Sequence, residues 1–476
     1  MSAKINQNNT ERRKTNYSNK SHLYRPLLLK HFSGNFPIKN QTKAYYCQVR
    51  FYIVVNLLDF LLLRTQKMSF ETFTLENGIR VIHHELPYGN VAHCGLIINV
   101  GSRDEHPEES GIAHFIEHTV FKGTKKRKAF HILSRLDAVG GEINAYTTKE
   151  ETCIYASFLA HHYDRSVELI TDITFNSIFP KKEIDKEKDV IIDEINSYLD
   201  DPSETIFDDF EEQLFEGHQI GRNILGEEHL IKKFAIVDIQ KFIEKNYSTD
   251  EMVFASVGPI SGAKLRKQVE KHLGKIAPKS NNKKRVAFSN YSPKKIVRQR
   301  ANFQEHAMLG NVAYSSQSSK RRGLILLSNL LGGPGLNSRL NLNIREKYGF
   351  TYYLESNYTA YSDTGLFNIY FGTDKKHLEK TRSLVLKELR LLRNKKLGIN
   401  QLHQAKQQLI GQIGLAQENK ASLMLTIGKS IMVYDVVDPI EKVFEKIDAI
   451  TSEEIQEIAN EVFAEDQLTH LTYLSK

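Results

Sequence analysis

His114, Glu117 and His118 fall within five consecutive residues, inside the stretch ESGIAHFIEHTVFKGT (109–124). On a helix, positions i, i+3 and i+4 share one face. Both imidazoles can then aim a ring nitrogen at one ion, with a carboxylate beside them. Catalytic zinc accepts two imidazoles and a carboxylate and keeps a fourth position for water. The flanking residues are apolar, so the group is not part of a solvated charged face. A third ligand, carboxylate or imidazole, must come from another element. The segment KKEIDKEKDVIIDEINSYL (181–199) offers Glu187 and Glu194, two helical turns apart and so on one face. They border a stripe of Ile184, Ile191, Ile195 and Tyr198. Spacing alone leaves open whether either is a ligand or a half-exposed helix glutamate.

The elements that must carry these groups follow from periodicity. The stretch FETFTLENGIRVIHHELP (70–87) alternates and contains the Asn77-Gly78 turn signal, which predicts a hairpin. A strand follows at 91–102, then the histidine helix, starting near Glu109–Gly111. A helix end is expected at Gly140-Gly141, and two strands after it. Amphipathic helices are expected at 161–175, 181–198 and 202–216, then a strand at 252–258 and a helix at 261–272. The polar stretch 277–295, with Pro and Ser, is the expected linker. After it the order recurs: a strand at 305–315, helices at 320–332 and 337–347 around a Gly-rich turn, two strands, and helices at 375–392, 399–413 and 417–431. Strands first and helices behind, twice over, predict an α+β protein. Its two similar domains occupy 68–276 and 296–476, each a mostly antiparallel sheet packed against helices.

Charge is unevenly spread. The whole chain of 476 residues has a formal charge of +8. Residues 1–67 hold 12 Lys+Arg against 2 Asp+Glu, leaving 53 against 55 for the rest. The basic balance therefore belongs to the extension, and the body carries no basic–aromatic interleaving that would read as a nucleic-acid face. Residues 1–40 are rich in Asn, Lys, Ser and Thr and read as disordered. The apolar run 51–63 contains Asn56 and Asp59 and is too short for a membrane span, so no stable membrane insertion is expected. The extension reads as a misplaced start before Met68, a targeting segment or an accessory segment. Cys47, Cys94 and Cys153 form no close pair, which implies no disulfide framework and a reducing compartment. A cytoplasmic location is expected, with the mitochondrial matrix or periplasm as alternatives.

Four signatures together carry a resemblance. They are His114-Phe115-Ile116-Glu117-His118 followed by TVFKGT, the EKDVIIDEI segment, GGEINAYT at 140–147, and LLGGPGLNSRLNLNIREKYGFTYYLES in the second half. In order and spacing, residues 68–476 resemble the insulinase/pitrilysin family of inverzincin zinc metallopeptidases. The similarity is greatest to single-repeat members like the mitochondrial processing peptidase beta subunit. One departure is GGPG, where the family usually has small residues ending in Met or Leu. The resemblance implies a LuxS/metallohydrolase-like fold and one Zn²⁺ per chain, held by His114, His118 and Glu194. It makes Glu117 the general base, which also suits its place beside the ligands. It marks Glu187 as a further functional acid that orients a ligand histidine or binds substrate. Arg345 and Tyr352 fall on the family's catalytic and substrate-binding Arg/Tyr pair. Asn144 and Ala145 fall on an expected edge strand to which an extended peptide can add.

The family encloses its substrate in a chamber of four such domains, and this chain has about two. A homodimer is therefore expected, with a related inactive partner subunit as the alternative. The implied activity is a zinc metalloendopeptidase acting on peptides or unfolded segments. A presequence-processing peptidase is the alternative. A non-catalytic structural subunit would have lost some of the motif residues, and none is lost.

Overall fold

The computed structural model describes residues 69–281 and 284–476, which belong to one compact unit. The readings of the extension 1–67, including Cys47 and the apolar run 51–63, lie outside the described residues. The first half builds a six-stranded sheet from β1 (Glu71–Thr74), β2 (Arg80–Glu85), β3 (Val91–Ile98), β4 (Glu142–Thr147), β5 (Thr152–Leu159) and β6 (Met252–Gly258). Their order is β1-β2-β6-β3-β5-β4. The expected hairpin is there, with Thr74 opposite Arg80 and Gly78 at φ +94° in its turn. The second half builds a five-stranded sheet from β7 (Lys295–Arg300), β8 (Glu305–Ala313), β9 (Leu354–Ala360), β10 (Gly365–Thr373) and β11 (Thr469–Ser475). Here the order is β7-β11-β8-β10-β9.

These orders are one topology used twice. Remove β1, and β2-β6-β3-β5-β4 maps strand for strand onto β7-β11-β8-β10-β9. Each sheet has a single parallel pair, β2 with β6 and β7 with β11, and is otherwise antiparallel. With β1 left out, both parallel pairs join the first and last strands of their half, a contact that element order alone does not show. Strands β7 and β11 were not expected: β7 reads KIVRQR, with Arg298 and Arg300 on the same, less exposed face as Ile296.

One face of the first sheet packs on α1 (Ile112–Thr119), α2 (Ala129–Asp137), α3 (Tyr163–Phe175) and α4 (Lys181–Leu199). The helix that continues the chain, α5 (Pro202–Leu214), leaves this layer. Asp201 caps it, accepting from the Ser203 N–H at 2.9 Å, and Pro202 occupies its first turn. Its Ile206, Phe210 and Leu214 pack under the second sheet, against Met308, Tyr370, Leu471 and Tyr473. The second half returns the arrangement. After α6 (Glu228–Ile231), α7 (Ile236–Asn246) and α8 (Gly262–His272) come α9 (Arg321–Gly332), α10 (Leu378–Asn394) and α11 (Ile399–Gln417), then α12 (Lys420–Tyr434). Leu423, Met424, Ile427 and Ile431 of α12 cover Ile82, Val253, Ala255 and Val257 on the open face of the first sheet. Each half thus lends the other a helix.

Ion pairs fasten both loans. Arg80 on β2 donates to the Ile431 carbonyl at 3.0 Å and to Asp435 at 2.5 Å. On the equivalent strand β7, Arg298 and Arg300 hold Asp209 of α5. The expected linker 277–295 ends one residue early, where β7 begins at Lys295; residues 277–294 carry no helix or strand where described, yet they are anchored. Arg285 pairs with Asp104 at 2.9 Å, and the Phe288 N–H donates to Asp363. The expected helix 337–347 is realised as a π-helical turn over Asn341–Glu346. Two further helices that were not expected, α13 (Ile440–Asp448) and α14 (Ser452–Val462), complete the second layer.

Phe210 is fully buried between the halves. Phe210→Ala is expected to cost about 3–5 kcal/mol. In urea it should lower the midpoint of one transition shared by probes in both sheets.

Candidate active site

The helix α1 begins without a side-chain cap of its own, at Gly111, which sits at φ +92°. A carboxylate from outside substitutes. The wholly buried Glu105 accepts the Gly111 and Ala113 N–H groups on its two oxygens, each at 2.9 Å. Burial pushes the Glu105 carboxyl up to about 8, against the pull of those N–H groups and Arg222. Ile112, Ala113, Phe115 and Ile116 turn into the core, so His114, Glu117 and His118 face the other way, towards α4.

On α4, Ile184, Ile191 and Ile195 are buried along with Glu187. This is the stripe expected from the sequence, and it brings both glutamates to α1. Glu194 Oε1 lies 3.8 Å from His114 Nε2, and its Oε2 lies 3.4 Å from His118 Nε2. One ligand atom from each of His114, His118 and Glu194 lies within 4.8 Å of the others. Glu187 is not part of that set. It accepts from His118 Nδ1 at 3.3 Å and pairs with Lys122 at 2.6 Å. A proton on Nδ1 leaves the Nε2 lone pair of His118 directed at Glu194.

The two rings are held in different protonation states. Burial, helped by His118, holds His114 down at about 4, so its ring is neutral. Its Nδ1 is buried with no partner. Burial would also lower His118, but the Glu187 hydrogen bond and the Glu194 charge outweigh it and raise the ring above its ordinary value. For Glu187, burial is outweighed by His118 and Lys122, and its carboxyl is held low. Burial raises the Glu117 carboxyl, with Thr147 and His118 opposing. Two imidazoles and a carboxylate converging from two helices fit Zn²⁺, while Glu117 stands beside them outside the ligand set.

A cavity of about 350 Å³ opens over these residues, lined by His114, Glu117, Tyr146, Thr147, Glu194 and Tyr198, with Asp208 and Asn223–Leu225 on its far side. Sequence reasoning missed Lys122, Asp208 and the 223–225 loop. Lys122 had a signal, four residues after His118 and so one turn on. The others had none, since they arrive from separate elements. Asp208 is held by Tyr198 at 2.5 Å and Asn223 at 3.1 Å. Tyr146 donates to Glu151 at 2.9 Å.

Asn144 and Ala145 sit on β4, the outer strand of the first sheet. Asn144 is exposed and Ala145 half-buried against the core, and neither lines the cavity. Arg345 and Tyr352 are brought to each other, the guanidinium carbon 5.2 Å from the ring centroid. They are not brought to the metal ligands: every residue lining the cavity comes from the first half, and Tyr352 is 82% exposed.

Residues 80–228 match the family model described as insulinase (peptidase family M16), and residues 234–409 match the peptidase M16 inactive domain. A Bacillus subtilis protein called uncharacterized zinc protease YmxG is 30% identical over 394 residues, covering 83% of this chain and 96% of the relative. The chain belongs to the M16 peptidase family. An uncharacterized zinc protease of Rickettsia felis is 32% identical over 406 residues, covering 84% and 96%. Among solved structures, a protease from Helicobacter pylori superposes with a TM-score of 0.79 at 22% identity, covering 86% of this chain and 100% of that one. The M16 inactive domain from Pseudomonas fluorescens gives 0.78 at 19%, covering 86% and 99%. The α+β fold and the resemblance to insulinase are thereby shown. The second M16 half carries no counterpart of the motif: α9, which follows β8 as α1 follows β3, reads RRGLILLSNLLG.

Two outcomes test the shell around the ligands. Glu187→Gln should weaken zinc binding about 10–100-fold, measured by competition with a chromophoric chelator. In the metal-free protein His118 holds its proton to higher pH than an ordinary imidazole. Zinc affinity should therefore fall as pH drops through that raised value and level off above it.

Proposed function

We propose that this chain is a zinc-dependent endopeptidase acting on peptides or unfolded segments. The convergence of His114, His118 and Glu194, with Glu117 beside them and outside the set, carries the reading. Zn²⁺ held by the three ligands would supply Lewis-acid chemistry, polarising the scissile carbonyl and making water a better nucleophile. Glu117 takes the proton of the attacking water and returns it to the leaving amine. Its burial-raised carboxyl suits that exchange. Glu187 fixes the His118 ring through Nδ1. Strand β4 lies at the sheet edge with its outer backbone groups unclaimed by another strand, which suits main-chain pairing with an extended substrate near Asn144 and Ala145.

Arg345 and Tyr352 complete the site from a second chain in this reading. Their exposure, and their absence from the cavity of their own chain, support a homodimer in which each second half faces the other's metal centre. There Tyr352 donates to the oxyanion that forms on attack, and Arg345 steadies it. Two chains closing around the sites would enclose a chamber that admits unfolded peptides.

The decisive comparison is Glu117→Gln against wild type, with metal content and peptide hydrolysis measured on the same samples. Zinc should be retained at one per chain while turnover falls by roughly 10²–10⁴. Normal cleavage by the variant would remove Glu117 from its role.

A further inference from the structure

Beyond Lys122, which pairs with Glu187, the segment that follows the metal helix takes no part in the cleft. Residues 122–135 read KGTKKRKAFHILSR, with six Lys or Arg and no Asp or Glu. The near balance of charge over the whole body conceals this concentration. In the fold, the loop before α2, α2 itself and α3 enclose a concavity of about 470 Å³, lined by Lys126, Arg127, His131, Ser134, Arg135 and Arg165. All of its lining side chains except Ser134 are basic.

The carboxylates beneath it are already committed. Glu168 receives Arg127 Nη2 on both oxygens, at 2.8 and 2.9 Å, and Asp172 receives Arg127 Nη1 at 2.5 Å. Arg135 reaches only the shared Glu168, at 3.5 Å, and its Nε is buried without a partner. Lys126 stands 3.9 Å from the same carboxylate. Arg165 donates to the Arg135 carbonyl at 3.1 Å and has no carboxylate partner among the described residues. Four permanent cations therefore share one concavity over two carboxylates. Such like-charge crowding is relieved by a multiply charged anion. Guanidinium forks match the oxygen spacing of phosphate.

We propose that this concavity is a binding site for a phosphate-bearing anion, separate from the metal cleft. The phosphate can be that of a free oligophosphate or of a phospholipid headgroup. Phe130, 72% exposed on α2 beside the basic residues, would enter the membrane surface in the second case.

The zinc-loaded full chain is titrated with tripolyphosphate by calorimetry. It is also co-sedimented with vesicles of phosphatidylcholine, with and without phosphatidylglycerol. Arg135→Gln/Arg165→Gln and Arg165→Gln alone are run in parallel, with zinc content and melting temperature as controls. Saturable binding of one tripolyphosphate per chain, about ten-fold or more weaker in the double variant, supports a free phosphate. Binding only to the anionic vesicles, weakened in the double variant and in Phe130→Ser, supports a headgroup. If the double variant does not fold, Arg165→Gln decides, since its side chain makes one hydrogen bond among the described residues. Binding to neither probe, or equal binding by wild type and variants, overturns the proposal. So does tighter binding of a single-stranded oligonucleotide than of either probe.

Discussion

The Glu105 carboxyl, buried and receiving two N–H groups at the start of α1, holds the helix that carries His114, Glu117 and His118. Its two oxygens take up N–H groups that the start of a helix leaves without intrahelical partners. A side chain at Gly111 would cap the helix locally but has no room. A Cβ there would lie 2.8 Å from the Gly226 Cα, and one on Gly226 would lie 2.5 Å from the Gly111 Cα. The two backbones touch, and that contact holds the 223–226 loop over the cavity. Arg222 extends the chain of constraint, donating to the Glu105 carbonyl at 2.9 Å while its own carbonyl receives Lys149 at 2.5 Å. Lys149 pairs with Glu211, which Tyr361 of the second half also holds. A continuous set of polar contacts thus runs from the metal-bearing helix to the second sheet.

The two halves share a topology and differ in chemistry. In the first, the helix after the third sheet strand in chain order carries two imidazoles and a carboxylate. In the second, the equivalent α9 carries no histidine or carboxylate and packs through its leucines. What the second half contributes instead is the π-helical turn with Arg345, and Tyr352 beside it on the surface. Between the halves, the side chain of Arg103 is fully buried, held by Glu150 at 2.6 Å from one side and Asp363 at 2.5 Å from the other. A buried guanidinium with both partners in place favours one relative placement of the sheets.

Much of this was legible in the sequence because the informative patterns are local. His114, Glu117 and His118 lie within a single helical turn or so, and Glu187 and Glu194 sit at fixed places on an isoleucine stripe. Either glutamate could have been the third ligand from spacing alone. Their separate tasks depend on which ring nitrogen each reaches, which only the crossing of α1 and α4 decides. The repeat was readable as an order of elements, but β7 and β11 were not, since one mixes basic residues into a short apolar run and the other lies far along the chain from the strands it pairs with. The exchange of α5 and α12 left no local trace. Their amphipathic faces show that they pack, not against which sheet.

That exchange has a consequence for how the chain is made. Arg80 and the Ile431 carbonyl it binds are 351 residues apart, and β2 and β6 lie bare on one face until α12 arrives. A ribosome will therefore expose Ile82, Val253, Ala255 and Val257 for most of the synthesis of the second half. The metal-bearing half stays incomplete until residues 420–434 emerge, and the nascent chain has to be kept from aggregating until then.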